Sequence, residues 1–167
     1  MTKKARIAVI GAGWWATEYH IPFLKERKSD VDLVAVCRLG VDELEFIKQR
    51  FDISIASESF QETIERSKPD GVIVSSPHVA HFEHAKAAIE AGAHVLVEKP
   101  MTVNAQHARK LETMAMEIPG AMTAATAATG TQEIVVMVMG TEMATMVTAM
   151  AEASKHLEIT QAVAFLP

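Results

Sequence analysis

Two observations in the sequence predict an α/β fold with a doubly wound parallel sheet. Four short runs, residues 7–10, 33–36, 72–74 and 95–97, are almost wholly apolar. Such runs are typical of strands that helices cover on both faces. The segments between the runs have helical patterns, and strands that alternate with helices form a parallel sheet.

The predicted elements follow one another in alternation. The strands are residues 6–10, 32–37, 72–75 and 94–97, and the helices are residues 14–27, 42–51, 79–91 and 104–116. The pattern assigns no element to the segment between residues 51 and 72. Each predicted helix therefore follows a strand and returns the chain to the start of the next one.

The composition changes near Leu111. Of the 16 Lys and Arg residues in the chain, only Lys155 lies beyond Lys110. More than half of the later residues are Ala, Thr or Met. We therefore divide the 167-residue chain into a domain of residues 1–118 and an atypical tail of residues 119–167.

The tail has a weaker pattern than the first domain. Residues 119–131 are predicted to form a linker of low order, because Pro and Gly bracket small residues there. The later segments are predicted to be strand 134–139, helix 142–156 and strand 157–165. These three elements would pack on the sheet or complete it.

Charge and composition exclude several classes of protein. A net charge of −5 and an isoelectric point near 5.8 give no basic field for a nucleic-acid backbone. The single cysteine, Cys37, cannot form an intramolecular disulfide, and the N-terminus has no signal-peptide pattern, so we expect a reducing, cytoplasmic location. Glu133 and Glu142 interrupt the most hydrophobic tract, so no membrane helix is expected.

A glycine-rich loop directly follows the first predicted strand. Residues 11–16 read Gly-Ala-Gly-Trp-Trp-Ala, the G-x-G-x-x-A form of the dinucleotide fingerprint of Rossmann folds. Gly11 permits the tight turn, Gly13 lets the backbone approach a pyrophosphate, and Ala16 lets the helix pack on the strand. The helix N-terminus then faces the phosphates.

Strand, loop and helix together favour cofactor binding over a plain turn between a strand and a helix. The predicted cofactor contacts in this loop are Gly11, Ala12, Gly13, Trp14 and Trp15. For the two tryptophans, packing over the sheet edge is an equal alternative.

The end of the second predicted strand bears on the choice of cofactor. An acidic residue usually holds the ribose 2′-hydroxyl of NAD at this point, but this chain has Cys37 and Arg38. Arginine can pair with a 2′-phosphate, so NADP is predicted in preference to NAD. Asp30 precedes the strand and Asp32 is its first residue, so both are expected at its opposite end. A solvated loop position is the alternative for Arg38.

A second set of motifs lies between residues 74 and 100. It comprises Ser76-Pro77, His81, Ala91-Gly92 and Glu98-Lys99-Pro100. Together with the glycine loop, these motifs resemble the glucose-fructose oxidoreductase, inositol dehydrogenase and rhizopine-catabolism (Gfo/Idh/MocA) family. The resemblance extends over about residues 5–116 and depends on several spaced motifs rather than on one.

The resemblance implies roles for the residues of these motifs. In the family, the lysine of the Glu-Lys-Pro motif lies by the nicotinamide and the substrate, so Lys99 is the candidate catalytic residue. Its ammonium group can donate to a substrate oxygen as hydride moves, and a surface lysine at a strand end is the alternative. The further cofactor contacts are Ser75, Ser76, Pro77, His78, His81, Glu98, Lys99 and Pro100. Glu98 is expected to orient Lys99 or its backbone, and Pro100 is a candidate for a cis peptide bond.

Three histidines, His78, His81 and His84, are spaced by three residues. Family members often carry Asn at the position of His78, which leaves the role of His78 open. Imidazoles on adjacent turns could share one metal ion, but no further Cys or carboxylate has suitable spacing. We therefore expect these residues to serve the start and the surface of one helix, with no metal ligand in the chain.

The resemblance implies an NAD(P)-dependent oxidoreductase that transfers hydride to or from a sugar, cyclitol or related polyol. Family enzymes continue into a large second domain that supplies the substrate pocket, and the segment after Met116 has too few alternating strands for it. We expect an incomplete catalytic apparatus, so whether the chain is an active enzyme stays open. Three explanations of the atypical tail stay open. The chain is a truncation with a foreign tail, it has a frameshifted or wrongly assigned C-terminal sequence, or it is a short relative whose tail completes the sheet.

Two other functions stay open from the sequence. One is a non-catalytic NADP-binding module or sensor, and the other is a structural fragment that binds nothing. The expected partners are a nicotinamide dinucleotide and a small polyol or sugar, with no nucleic acid and no membrane. Self-association is expected if the Met-rich tail leaves an apolar face uncovered.

Overall fold

The structure of the protein is a computed structural model that describes residues 4–117, 122–124 and 136–139. The strands are β1 Ala5–Ile10, β2 Val31–Cys37, β3 Ile55–Ser57, β4 Gly71–Val74, β5 His94–Val97, β6 Met122–Ala124 and β7 Val136–Met139. The helices are α1 Ile21–Glu26, α2 Val41–Arg50, α3 Phe60–Ser67, α4 His81–Glu90 and α5 Ala105–Met116. A π-helical turn precedes α1 at Ala16–His20, and a 3₁₀ turn precedes α4 at His78–Ala80.

The described strands form one sheet in the order β3-β2-β1-β4-β5-β7-β6. The first five strands of this order are parallel, and β7 and β6 join the edge of β5 in antiparallel pairs. The strand order reverses beside β1, because β2 and β4 lie on its two sides. The predicted α/β fold with a doubly wound parallel sheet is confirmed.

Helices cover both faces of the sheet, which explains the nearly continuous apolar strands. Successive residues of β1 enter two separate cores: Ile7 and Val9 pack with α1 and α2, whereas Ala8 and Ile10 pack with α3, α4 and α5. Both faces of the strand therefore need apolar side chains, as in other parallel sheets.

The helix predicted at residues 14–27 is interrupted. Its middle is the π-helical turn Ala16–His20, and Pro22 lies in the first turn of α1. Proline has no N–H, so it cannot donate to the carbonyl of Glu18 four residues earlier, and the regular hydrogen-bond pattern is lost there.

A strand and a helix, β3 and α3, occupy the segment to which the sequence pattern assigned no element. β3 has only three residues, and α3 buries Thr63 and Ser67 beside Ile64 instead of a clear apolar stripe. The hydroxyls of Thr63 and Ser67 donate to the carbonyls of Ser59 and Thr63, at 2.8 and 2.6 Å, which makes their burial possible.

The tail is partly described. β7 lies within the strand predicted at 134–139, and its Met137 pairs with Leu96 of β5. The linker prediction for residues 119–131 is wrong at Met122–Ala124, because the backbone of these residues pairs with β7 as strand β6. The predicted helix 142–156 and strand 157–165 lie outside the described residues. In the described part of the chain, no helix is long and apolar enough to cross a membrane.

Candidate functional site

The carboxyl ends of four parallel strands meet at one edge of the sheet, which we call the carboxyl edge. Gly11 follows β1, Arg38 follows β2, Ser75 follows β4 and Glu98 follows β5. The sheet pattern continues into these residues, since Ser75 N–H donates to Ile10 at 2.8 Å and Glu98 N–H donates to Val74 at 2.9 Å. Ligands of open α/β sheets bind at this edge, beside the point where the strand order reverses.

Backbone hydrogen bonds hold the glycine loop against the end of β2. The N–H groups of Gly11 and Ala12 both donate to the carbonyl of Cys37, at 2.8 and 3.0 Å, and Gly13 N–H donates back to Gly11 at 2.7 Å. The helical segment then begins, with Thr17 N–H donating to Gly13 at 3.0 Å. The amides between Gly13 and Thr17 come before this first helical bond and face out of the helix N-terminus, the arrangement that binds anions.

The two loop glycines are needed for different reasons. Gly11 has a φ of 90°, and a Cβ on it would come within 2.5 Å of the Ser75 carbonyl carbon and closer still to the Ser76 backbone. Gly11 therefore lets two strand-end loops touch. Within the part of the chain that the structure describes, a Cβ on Gly13 would meet only Gly11 O, at 4.0 Å. The space beside Gly13 is thus open to a ligand, and a side chain there would narrow it.

Arg38 crosses from the end of β2 to the glycine loop. Its Nη1 donates to the carbonyl of Ala12 at 3.2 Å, and its Nε donates to Leu39 at 3.2 Å. Among the described residues, no carboxylate forms an ion pair with this guanidinium. A half-buried cation thus lies next to the loop with its remaining N–H groups available to an anion.

Three aromatic rings cluster at the start of the helical segment. Trp15 and Tyr19 lie 4.3 Å apart between ring centroids, and Trp14 meets their edges at 6.1 and 5.9 Å. Trp14 is 68% exposed, so its outer face is open beside the glycine loop. Trp15 turns inward, and its Nε1 donates to Glu98 Oε1 at 2.9 Å.

Glu98 connects the glycine-loop helix to the segment after β5. Its Oε1 also accepts from His20 Nε2 at 2.7 Å, and its Oε2 accepts from the N–H of Lys99 at 3.3 Å. Burial by itself raises the pKa of the Glu98 carboxyl. The hydrogen bond and charge of His20 lower it, as do the hydrogen bonds from Trp15 and from the Lys99 backbone. Together they outweigh burial, so the pKa of Glu98 lies below its ordinary value. The ionised Glu98 carboxylate therefore links these two segments by hydrogen bonds.

Lys99 and Pro100 follow on the same edge. Both residues are exposed, and the peptide bond between them is cis, as the sequence analysis allowed. Lys99 forms no ion pair with any carboxylate in the described part of the chain. Its ammonium group is therefore available to a ligand at the carboxyl edge.

The loop after β4 turns one serine inward and two residues outward. Ser76 is buried, and its Oγ lies 2.9 Å from His84 Nδ1, whereas Pro77 and His78 are exposed. His84 also packs against Phe60, and its burial lowers the pKa of its imidazole, with a smaller contribution from His81 in the same direction. Ser76 and His84 thus anchor the loop from below, and Pro77 and His78 form its outer surface.

His81 has a different place from the one expected. It is 0% exposed, its Nε2 lies 2.7 Å from the carbonyl oxygen of Ser76, and its Nδ1 lies 2.9 Å from that of Pro100. Because carbonyl oxygens only accept, the ring must donate in each contact that it forms. Both nitrogens thus face the protein backbone, and the buried ring leaves no surface for the direct cofactor contact predicted for His81. His81 instead positions the loop after β4 and the segment after β5.

His20 was missed from the sequence, and His84 was expected only at the start or the surface of a helix. His20 lies five residues after Trp15, and both reach Glu98 because the intervening turn is π-helical. Pro22 is the sequence signal that could have indicated this altered helix. Among the described residues, no group of three His, Cys, Asp or Glu side chains could hold a metal ion.

Comparison with known proteins decides the family. The family model described as "Oxidoreductase family, NAD-binding Rossmann fold", GFO_IDH_MocA, matches residues 5–126. The chain belongs to this family. The resemblance inferred from the glycine loop and the Glu-Lys-Pro motif is therefore confirmed.

Individual relatives are enzymes of sugars and cyclitols. The chain is 35% identical over 106 residues to D-glucoside 3-dehydrogenase of Escherichia coli, which covers 64% of this chain and 30% of that protein. The structure of myo-inositol 2-dehydrogenase from Lactobacillus plantarum is similar at a TM-score of 0.65 and 26% identity, over 71% of this chain and 34% of that one. A 3-ketoreductase from Actinomadura kijaniata, in complex with NADP and TDP-benzene, has a TM-score of 0.65 and 29% identity, over 72% and 37% of the two chains. The chain therefore spans about a third of the length of the relatives it matches.

Proposed function

We propose that this chain binds NAD or NADP at the carboxyl edge, as the cofactor-binding half of an oxidoreductase of sugars, cyclitols or related polyols. The observation that carries the proposal is the open space at Gly13, where a Cβ would meet only one atom of the described residues, at 4.0 Å. This space lies at a helix N-terminus and beside the guanidinium of Arg38. Family membership and the NADP complex of the 3-ketoreductase support the same ligand.

Different residues around this space would bind different parts of the dinucleotide. The helix N-terminus after Gly13 would hold the pyrophosphate, since its amides and dipole favour negative charge. Arg38 would hold the adenosine end and pair with a 2′-phosphate. Pro77 and His78, with Lys99, would border the nicotinamide end, because their strands lie on the other side of β1 from Arg38. Trp14 supplies an exposed ring at the loop.

A bound nicotinamide supplies the hydride donor or acceptor for the reaction. Lys99 would donate a hydrogen bond to the oxygen of the reacting carbon and stabilise the negative charge that develops there. Glu98 keeps the Lys99 backbone in place through its bonds to Trp15 and His20. Two of these relatives are named as dehydrogenases, of a D-glucoside and of myo-inositol, and one is named as a 3-ketoreductase. A hydroxyl or ketone as the reacting group suits one cationic donor.

We also propose that residues 1–118 form the cofactor domain and that the tail adds to its sheet. The antiparallel pairing of β7 with β5 supports this division. The pairing of β6 with β7 supports a sheet that continues beyond the five parallel strands.

Titration of the purified chain with NADPH and NADH, by calorimetry and by quenching of the Trp14 and Trp15 fluorescence, tests the proposal. We expect saturable binding of at least one cofactor, and a weakening of NADPH binding by about tenfold in Arg38→Met, the loss expected for one charged hydrogen-bonding partner. In Lys99→Met, the cofactor affinity should change by less than about threefold, because the proposed partner of Lys99 is the substrate. No binding of either cofactor refutes the proposed function.

Turnover separates the two candidate roles of a cofactor-binding chain. Oxidation of at least one member of a panel of cyclitols, glucosides and other polyols, with its loss in Lys99→Met, would show that the chain is itself an enzyme. Tight cofactor binding without turnover of any member would instead favour the non-catalytic module or sensor.

A further inference from the structure

The region that would hold the adenosine end contains a carboxylate from an unexpected strand. β2 and β3 are parallel neighbours, with Cys37 opposite Ser57, and Arg38 N–H donates to Ser57 O at 3.4 Å. Glu58, the residue after β3, therefore lies beside the loop after β2. Its Oε1 accepts from the N–H of Gly40 at 2.7 Å, so the carboxylate is bonded to the same loop that carries Arg38.

Other observations place negative charge at this loop. A Cβ on Gly40 would come within 2.7 Å of Glu43 Oε2, so a second carboxylate lies against the same residue. Burial is the main cause that raises the pKa of the Cys37 thiol, and the charge of Glu58 adds to it, which places Glu58 within electrostatic reach of the end of β2. Two carboxylates therefore border the loop that carries Arg38, although none pairs with Arg38 among the described residues.

We propose that Glu58 is a specificity-determining residue that takes the place of the acid missing from the end of β2. Its carboxylate accepts a hydrogen bond from the ribose 2′-hydroxyl of NAD and repels the 2′-phosphate of NADP. Arg38 acts in the opposite sense, so the balance between Arg38 and Glu58 sets the cofactor preference. This inference depends on the proposed function, because it assigns a role within the same dinucleotide site.

The physical reasons are charge and hydrogen bonding. A phosphate monoester carries a charge of about −1.5 to −2 at neutral pH, so a nearby carboxylate opposes it. A ribose hydroxyl is a neutral donor, and a carboxylate is an acceptor for it. Glu58 is exposed, so solvent screens its effect and its contribution is modest.

Glu58→Gln is the variant that tests the proposal. The glutamine keeps a carbonyl oxygen that can accept from Gly40 N–H, so the loop keeps its bond and loses only the charge. We expect the ratio of NADPH affinity to NADH affinity to rise by about three- to tenfold, as measured by calorimetry at low ionic strength. Glu65→Gln, at an exposed position of α3, makes the same change of net charge and should leave the ratio unchanged.

Salt and a double variant make the test sharper. The gain in NADPH affinity of Glu58→Gln should shrink as salt is raised to about 1 M, because the proposed repulsion crosses solvent. In the background of Arg38→Met, Glu58→Gln should still weaken NADH binding, since that loss does not involve the arginine.

The possible results separate the two proposals. If both cofactors bind and Glu58→Gln leaves the affinity ratio within about 1.5-fold of the unchanged chain, Glu58 does not determine specificity and the proposed function stands. An equal rise of the ratio in Glu65→Gln would show an effect of net charge alone and would also overturn the role of Glu58. If neither cofactor binds the unchanged chain, the proposed function fails, and the inference fails with it.

Discussion

Replacement of Gly11 by alanine tests the close approach of the glycine loop to the loop after β4. The new Cβ would come within 2.5 Å of the carbonyl carbon of Ser75 and would meet the backbone of Ser76. These are backbone atoms of a strand end, so they cannot rotate away as a flexible side chain would. The φ of 90° at Gly11 adds a second cost, because L-residues rarely adopt it.

The size of the effect follows from these two terms. Backbone strain contributes about 1–2 kcal/mol, and overpacking contributes about 1–3 kcal/mol. Gly11→Ala should therefore lower the free energy of unfolding by about 2–5 kcal/mol, or the melting temperature by about 5–20 °C in a chain of this size. Urea denaturation followed by circular dichroism measures this difference.

Two other glycines give matched controls. Gly92 has a φ of 79°, but a Cβ there would meet no atom of the described residues within 4 Å. Gly92→Ala should therefore show only the strain of about 1–2 kcal/mol. Gly13→Ala should change stability by less than about 1 kcal/mol and should weaken dinucleotide binding, because its Cβ would enter the open space. If Gly11→Ala destabilises the protein no more than Gly92→Ala, the contact between the two loops is not as described and the reasoning is refuted.

Three further predictions concern the network around the site. Glu98 has a lowered pKa in the folded state, so its stabilisation is complete above the unfolded pKa of about 4.3 and is lost as pH falls through the folded value. In urea titrations at pH 7, the free energy of unfolding of Glu98→Gln should be lower than that of the unchanged chain by about 1–3 kcal/mol, and this difference should shrink at acid pH. A difference that is constant with pH would contradict this. His81→Phe removes the ring N–H that faces the carbonyls of Ser76 and Pro100 and should cost about 2–4 kcal/mol. His78→Phe, at an exposed position, should cost less than about 0.5 kcal/mol, and equal costs would contradict the described bonds. Asn104 caps α5 by accepting from the N–H groups of Gln106 and His107, so Asn104→Ala should cost about 1 kcal/mol in a thermal melt, and an unchanged melting temperature would show that the cap is not formed.

The sequence predicted those parts of the fold that depend on local patterns. Strands buried on both faces appear as continuous apolar runs, and β1 is found within one residue of its predicted start. The glycine loop was recognisable because glycine is needed at two particular positions, Gly11 and Gly13, and both can be read directly from the sequence. The parallel, doubly wound sheet followed from the alternation of strands and helices.

The missed elements have no local apolar signal. β3 is three residues long, and α3 buries hydroxyl groups that bond to its own backbone. A Ser-x-x-Glu pattern at Ser59 and Glu62 marks the start of α3, and Glu62 N–H does donate to Ser59 Oγ at 3.3 Å. This capping signal could have identified α3 without any apolar period.

The missed site residues come from distant parts of the chain. His20 and Glu98 are 78 positions apart, and Gly40 and Glu58 are 18 apart. These pairs form only when the fold brings together the segments that follow different strands, so no spacing in the sequence marks them. The burial of His81 could not be predicted from the sequence either. A histidine at the start of a helix gives the same sequence pattern whether its ring faces a ligand or the backbone of two loops.

An amide NMR titration with NADPH tests the central claim, that the dinucleotide binds at the carboxyl edge. Shifts should concentrate at residues 11–17 and 75–78 and at Arg38, and they should saturate with the affinity measured by calorimetry. The same titration of Gly13→Ala should show weaker shifts at the same residues. Saturable shifts that map to the opposite edge of the sheet, or no shifts at all, would contradict the account.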